Sequence, residues 1–162
     1  MTQKQKILTV YWATFSGSII WIAAIVMAPL MSSLDNVWGV LLYKAFSPLC
    51  HQIPERCFHL WGFPLAVCSR CFGIYSGIIT GLLFFPITKR FSSVSVPKTS
   101  LFILLTAPIL ADAVGIFFRL WETSAWLRFA IGWLWGIILP FYFVAGLSEA
   151  WIRQGEHKHI NS

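Results

Sequence analysis

The four cysteines of the chain lie close together in the sequence, between positions 50 and 71. They are Cys50, Cys57, Cys68 and Cys71, and His51 directly follows the first of them. Free cysteines that only fill space in a core are expected to be scattered along a chain, as other small apolar residues are. The clustering instead indicates a site built from thiols, which can bind a metal ion, exchange electrons or form disulfides.

Three sulfur atoms and one imidazole in this stretch are available as metal ligands. Cys68 and Cys71 are three residues apart, so on a helix both side chains lie on one face. Cys50 and His51, from the preceding loop, complete a four-ligand set that suits a tetrahedral zinc ion or another soft metal such as copper or iron. We therefore predict a metal site formed by Cys50, His51, Cys68 and Cys71. Cys57 is a weaker candidate.

Two other interpretations of the same thiols stay open. The Cys-x-x-Cys spacing is also that of a redox pair, in which Cys68 and Cys71 alternate between dithiol and disulfide. In an oxidising compartment the cysteines can instead form permanent structural disulfides. The three interpretations describe a metal-binding protein, an enzyme and a scaffold, and no catalytic residue beyond the thiols is predicted.

The segments that position these residues are strongly apolar. Of the 162 residues, 57% are hydrophobic and only 11% are charged, whereas a soluble domain has about 25% charged residues. Runs long enough to cross a bilayer occupy about 7–31, 62–86, 100–119 and 127–150. Backbone groups in lipid must be paired within their own segment, so each run is predicted to be a helix.

The chain is therefore predicted to be an all-α polytopic membrane protein. Residues 1–162 form one transmembrane domain, a bundle of four transmembrane helices. The apolar segment 37–49 is too short to span the bilayer, so we predict that it forms a short interfacial or re-entrant helix between the first two spans.

Basic residues set the expected orientation. Four spans put both termini on one face, together with Lys4, Lys6, Lys89, Arg90, Lys98, Arg153 and Lys158. The opposite face carries Lys44, Arg56, Arg119 and Arg128 over more sequence. Because basic loops favour the cytoplasm, we predict a cell (inner) membrane protein with both termini cytoplasmic and the thiols at the extracytoplasmic face. The net charge of +6 then reflects topology and contact with anionic lipid, and no nucleic-acid partner is expected.

Two ionisable residues lie inside predicted spans, Arg70 and Asp112. Each costs about 2.5 to 3.5 kcal/mol to insert at a helix centre, so a partner or a function is expected. Both fall about 10 Å below the outer boundary at the rise of an α-helix. We predict that they pair and support the metal ligands from a second layer, to which the outer turn adds Glu122 and Arg128. A purely structural ion pair is the alternative.

Small residues recur at every fourth position in two of the spans. They are Ser69, Gly73, Gly77 and Gly81 in the second span and Gly132 and Gly136 in the fourth. This spacing lets helices approach closely, so the two ridges are predicted to face each other inside the bundle, and they also offer a surface for helix-mediated self-association.

Two sequence blocks resemble a known family. The first reads Cys-His-Gln-Ile-Pro-Glu-Arg over 50–56, and the second reads Cys-Ser-Arg-Cys-Phe-Gly-Ile-Tyr over 68–75. With Ala111-Asp112 and the stretches 122–124 and 127–129, they resemble a domain-of-unknown-function family of small prokaryotic membrane proteins. The resemblance covers 48–136 and implies a membrane protein without supplying an activity. Serine is usual in that family where this chain has Cys57, which argues against a role for Cys57.

The chain is also similar in architecture to four-helix, quinone-coupled thiol oxidases. Those enzymes place a Cys-x-x-Cys motif near the outer end of a helix and a second cysteine pair in an outer loop, which here would be Cys50 with Cys57. This similarity implies a quinone as the cofactor under the redox interpretation.

Overall fold

The structure, a computed structural model, describes residues 2–89, 99–118 and 122–160. Its helices are α1 (Gln3–Ser33), α2 (Val37–Phe46), α3 (Ser69–Lys89), α4 (Thr99–Phe117) and α5 (Ala125–Ile160), with a 3₁₀ turn at Pro54–Arg56 and a hairpin of β1 (His59–Leu60) and β2 (Phe63–Pro64). Of the basic residues behind the predicted orientation, Arg90, Lys98 and Arg119 lie outside these ranges.

Within the described residues, four helices are long and apolar enough to cross a membrane, namely α1, α3, α4 and α5. Only 11% to 28% of the most apolar part of each span is buried inside the protein. The remaining apolar side chains face outward, and lipid must cover them. The predicted all-α bundle of four transmembrane helices is therefore confirmed.

The short helix α2 lies between the first two spans, as predicted. Asn36 caps its start by accepting a hydrogen bond from the backbone N–H of Trp38, at 3.0 Å. Gly39 is buried where α2 crosses α1, and a Cβ there would lie 2.8 Å from the backbone nitrogen of Ser32. The exposed face of α2 carries Val37, Trp38, Val40 and Leu41, which suits the boundary of a bilayer.

The second span begins later than hydropathy predicts, at Ser69 instead of position 62. The preceding apolar residues form the β1–β2 hairpin, whose two-residue turn places Trp61 at φ 53° and Gly62 at φ 82°. Positive φ at both turn residues matches the twist of a tight hairpin. The Cys-x-x-Cys motif therefore lies at the N-terminus of α3, and not about 9 to 14 Å along a helix that starts at position 62.

Two apolar clusters close the bundle at its two ends. One consists of Val10, Tyr11, Leu82, Phe85 and Val144, near the face that carries the termini. Within it the Tyr11 hydroxyl donates to the backbone oxygen of Leu82 at 3.2 Å, and farther out Lys6 Nζ donates to the backbone oxygen of Trp151 at 3.4 Å. The start of α1 and the distal part of α5 therefore lie on the same face.

The second cluster surrounds the α2–α3 connection at the opposite end. It is built from Ile25, Ala28, Phe46, Cys50, Leu65, Ala66 and Val67. Because this cluster includes Cys50 and packs against the other two cysteines of the site, the apolar core and the thiols form one unit.

Glycine ridges bring α3 and α5 into direct backbone contact. A Cβ on Gly73 would lie 3.0 Å from the backbone nitrogen of Trp133, and one on Gly77 would lie 2.9 Å from the Cα of Gly136. Atoms do not approach a Cβ that closely, so only glycine fits at these positions. The predicted meeting of the two ridges is confirmed, and self-association through small residues stays a prediction.

Replacing Gly77 with alanine is expected to separate α3 from α5 and to lower the free energy of unfolding by about 1 to 3 kcal/mol, the usual cost of overpacking. Gly146 in α5 is the matched control, because a Cβ there meets nothing within 4 Å. Thermal unfolding in detergent should show Gly77→Ala well below wild type and Gly146→Ala at or above it. Equal stability of the two variants would contradict the close contact.

Candidate functional site

Three of the four cysteines converge at the start of α3. The Sγ atoms of Cys50, Cys68 and Cys71 all lie within 4.8 Å of one another. Cys68 directly precedes α3 and Cys71 lies in its first turn, whereas Cys50 comes from the loop after α2. The backbone N–H of Cys68 donates to Cys50 Sγ at 3.1 Å and fixes the two segments together. Sulfurs bound to one tetrahedral zinc are about 3.8 Å apart, since Zn–S is about 2.3 Å, so a small adjustment would fit the ion.

A glutamine clamps the loop that carries Cys50. Gln52 has a positive φ of 50°, and its side-chain amide donates to the backbone oxygens of Tyr43 at 2.7 Å and Ala66 at 2.8 Å. The Tyr43 hydroxyl in turn donates to the backbone oxygen of Pro64. These bonds join α2, the loop that carries Cys50 and the residues that precede α3. Sequence reasoning missed Gln52, although it is the third residue of the Cys-His-Gln block.

Hydrogen bonds among the three thiols shift the pKa values of Cys50 and Cys68. Bonds from the Cys68 and Cys71 thiols hold the pKa of the Cys50 thiol well below its usual range, although burial opposes this effect. The bond to Cys50 raises the pKa of Cys68. Donation from its two neighbours therefore favours the thiolate form of Cys50 over that of Cys68.

His51 does not join the sulfurs. Its side chain is exposed, while the neighbouring Cys50 is buried. Of the four predicted ligands, the structure therefore brings together the three sulfurs but not His51. His51 lines the adjoining cavity.

Cys57 is buried but lies outside the group of three sulfurs. Its thiol donates to the backbone oxygen of Ile53 at 3.2 Å, and burial raises its pKa to about 12. A thiol held in this way is protonated and unreactive at neutral pH. This placement agrees with the minor role that the sequence indicated for Cys57.

Arg70 and Asp112 form the salt bridge predicted from their insertion cost. Asp112 is 5% exposed, and its second oxygen accepts a hydrogen bond from the Thr123 hydroxyl. Thr123 is a further residue that sequence reasoning missed. Arg128 is also buried, whereas Glu122 is exposed. The support role predicted for these residues beside the sulfurs stays a prediction.

A cavity of about 380 Å³ lies beside the sulfurs. Its lining includes Cys50, Cys68, Cys71, Arg56, Arg70 and Arg128. Arg56 enters this site from the 3₁₀ turn, although the sequence had indicated only that it lies on the outer side. The cavity therefore combines soft sulfur ligands with three positive charges.

The chain is similar to other prokaryotic membrane proteins across this region. A family described as "Predicted membrane protein (DUF2085)" matches residues 50–142, which include the four cysteines, Asp112 and the three arginines of the cavity. An uncharacterized protein of Methanocaldococcus jannaschii is 33% identical over 140 residues, covering 83% of this chain and 90% of the relative. An uncharacterized protein of Methanothermobacter thermautotrophicus is 37% identical over 88 residues, covering 54% and 77% respectively. No solved structure matches the chain.

Replacing Asp112 with asparagine should destabilise the bundle by about 3 kcal/mol, because it leaves the guanidinium of Arg70 in the bundle without its counter-charge. Thr123→Val is the milder comparison and removes one hydrogen bond, at a cost of about 1 kcal/mol. In unfolding titrations in detergent, Arg70→Gln combined with Asp112→Asn should cost less than the sum of the single changes. Additive effects would show that the two residues are not coupled.

Proposed function

The chain belongs to this family of predicted membrane proteins, and we propose that its role in the membrane is to bind a metal ion through Cys50, Cys68 and Cys71. The observation that carries the proposal is the convergence of the three sulfurs within 4.8 Å. Two of them belong to one Cys-x-x-Cys motif, and the third comes from a loop 18 residues before Cys68. Folding alone thus brings together three ligand atoms that soft metals prefer.

Zinc is the metal that best fits these ligands, with copper and iron as the other soft candidates. Structural zinc sites have four protein ligands, whereas catalytic sites have three and keep one position for water or substrate. Three sulfurs next to a cavity of about 380 Å³ resemble the second kind. We therefore infer a metal that meets a ligand from solution, in a site for exchange or catalysis.

The surroundings supply positive charge that offsets the deprotonated sulfurs a metal requires. Cys68 and Cys71 lie at the N-terminus of α3, where the helix dipole stabilises negative charge. Arg70 and Arg128 line the same cavity and add positive charge. The Gln52 clamp holds the loop of Cys50 in place before a metal arrives. With both termini in the cytoplasm, as the basic residues predict, this site opens to the exterior.

Metal analysis of the detergent-purified protein tests the proposal. Wild type is expected to hold about one zinc ion per chain, and the Cys68→Ser, Cys71→Ser double variant is expected to hold none, because two of three ligands are lost. Cys57→Ser is the matched control and should keep its metal, since Cys57 lies outside the sulfur group. His51→Ala should also keep it. Equally empty wild-type and double-variant proteins would rule out the site.

A second candidate function is thiol oxidation coupled to a quinone. The observation that favours it is an apolar groove of about 530 Å³ lined by residues of α1, α3 and α5, including Trp21, Tyr75 and Ile78. Tyr75 lies one helical turn after Cys71, on the same face of α3. In this reaction Cys68 and Cys71 lose two electrons and two protons and form a disulfide, and the quinone that gains them becomes a quinol.

Alkylation of thiols separates the two functions. If the thiols bind metal, Cys50, Cys68 and Cys71 should resist a maleimide until a strong chelator is added, because their lone pairs are engaged by the ion. If they cycle with a quinone, Cys68 and Cys71 should react only after a reductant and become protected again on addition of quinone. Permanent protection that only a reductant removes, with no effect of quinone, would indicate structural disulfides and a scaffold. The alkylation is carried out in the Cys57→Ser background, so that only the three thiols of the site contribute to the number of labelled cysteines.

A further inference from the structure

The cavity beside the sulfurs carries an excess of positive charge. We propose that it binds a phosphate group between Arg56, Arg70 and Arg128. All three arginines line the cavity, and they come from the 3₁₀ turn, α3 and α5. This proposal does not depend on the metal, because the arginines carry their charge and their donors whether or not a metal is bound.

The charges in the cavity do not balance within the described residues. Three guanidinium groups contribute +3, and the carboxylate of Asp112, bound to Arg70, contributes −1, which leaves +2, or +1 with Cys50 as a thiolate. The acidic residues nearest in sequence, Glu55 and Glu122, are exposed. Arg128 is close enough to Arg56 and Arg70 for direct repulsion. Holding like charges close together costs free energy. A bound anion, whose negative charge offsets the positive charges, removes that cost.

Arg128 provides the sharpest evidence for a ligand. Its side chain is only 7% exposed, and its Nε has no hydrogen-bond partner among the described residues. The Nε of Arg70 lacks a partner in the same way. A guanidinium is charged at every accessible pH and carries five donors, so a buried one without an acceptor is unfavourable. Both residues line the cavity, where a bound anion can offer acceptor oxygens to their guanidinium groups.

Phosphate meets these requirements better than a carboxylate does. It presents oxygens in several directions, so it can accept from three guanidinium groups at once, and as a monoester it carries nearly two negative charges at neutral pH. The planar fork of arginine matches its geometry. A free phosphate compound and a phospholipid head group share this chemistry, and the site lies at the membrane boundary, where both are available.

The test uses the full-length protein in two settings. Inorganic phosphate is titrated into detergent-solubilised protein by calorimetry, with acetate as the carboxylate comparison. In parallel, thermal stability is compared between nanodiscs of phosphatidylcholine alone and nanodiscs that contain phosphatidic acid. Arg128→Gln and Arg56→Gln should each weaken phosphate binding by about tenfold or more, the loss expected for a charged hydrogen-bond pair. Lys44→Gln, on an exposed lysine of the same face, should leave binding unchanged.

Each outcome decides the proposal. Binding of free phosphate that the arginine variants weaken supports it, and so does stabilisation by phosphatidic acid alone, which would identify a lipid head group as the source. Binding in neither setting, equal binding of acetate, or an equal loss in Lys44→Gln would overturn it. The Cys68→Ser, Cys71→Ser variant should lose metal yet retain phosphate. If phosphate is lost there and retained in Arg128→Gln, the anion binds to the metal and not to the arginines.

Because Arg128 is buried, its replacement must also leave a folded protein. The buried Nε of Arg128 without a partner destabilises the phosphate-free fold, so Arg128→Gln without phosphate should unfold at or above the temperature of wild type. Loss of the fold in Arg128→Gln and retained phosphate affinity in Arg56→Gln would together show that Arg128 is structural, and would overturn the site.

Discussion

The packing of α3 against α5 is the contact on which the site depends. Gly132 of α5 is pressed against the first turns of α3, where a Cβ would lie 3.2 Å from the backbone nitrogen of Ile74. Arg128 lies one turn before Gly132, and Arg70 and Cys71 lie one turn before Ile74. The glycine ridges therefore set the distance between Arg128 and the thiols. A larger side chain in the ridges would move the two sides of the cavity apart.

Helix α4 is held in a different way, because it is the least buried span, with 11% of its apolar part covered. Polar contacts position it instead. Asp112 binds Arg70 of α3, and the indole of Trp135 in α5 donates to the Thr106 hydroxyl at 2.9 Å. Polar groups in hydrocarbon have few alternative partners, so such contacts can align a helix that packs weakly. The Arg70–Asp112 pair thereby has a structural role whatever chemistry occurs beside it.

The cavity unites two kinds of recognition that rarely serve the same ligand. Thiolates select soft metals, whereas guanidinium groups select oxygen anions. Their proximity is consistent with a metal centre whose exchangeable ligand, or whose substrate, is an anion. The apolar groove at Tyr75 lies deeper along the same helix and offers space for a lipid-soluble molecule. The proposed functions thus occupy neighbouring parts of one structure, and the thiols are common to the metal and redox proposals.

Much of the architecture could be predicted because it follows from local features of the sequence. A long apolar run has to be a helix in lipid, and a lone charge such as Asp112 within a run requires a partner. The periodic glycines likewise indicate a close helix contact wherever they occur. The grouping of the cysteines pointed to the site for the same reason, since it is visible within one short stretch.

Other features were decided only by the tertiary structure. Hydropathy does not distinguish an apolar hairpin from the first turns of a helix, so the start of α3 at Ser69 was missed. The outward position of His51 and the clamp made by Gln52 depend on the conformation of a loop, including a positive φ that nothing in the local composition requires. Arg56 and Arg128 are 72 positions apart and line one cavity only in the folded bundle. Contacts between distant segments depend on how whole helices pack, and no local pattern in the sequence specifies that packing.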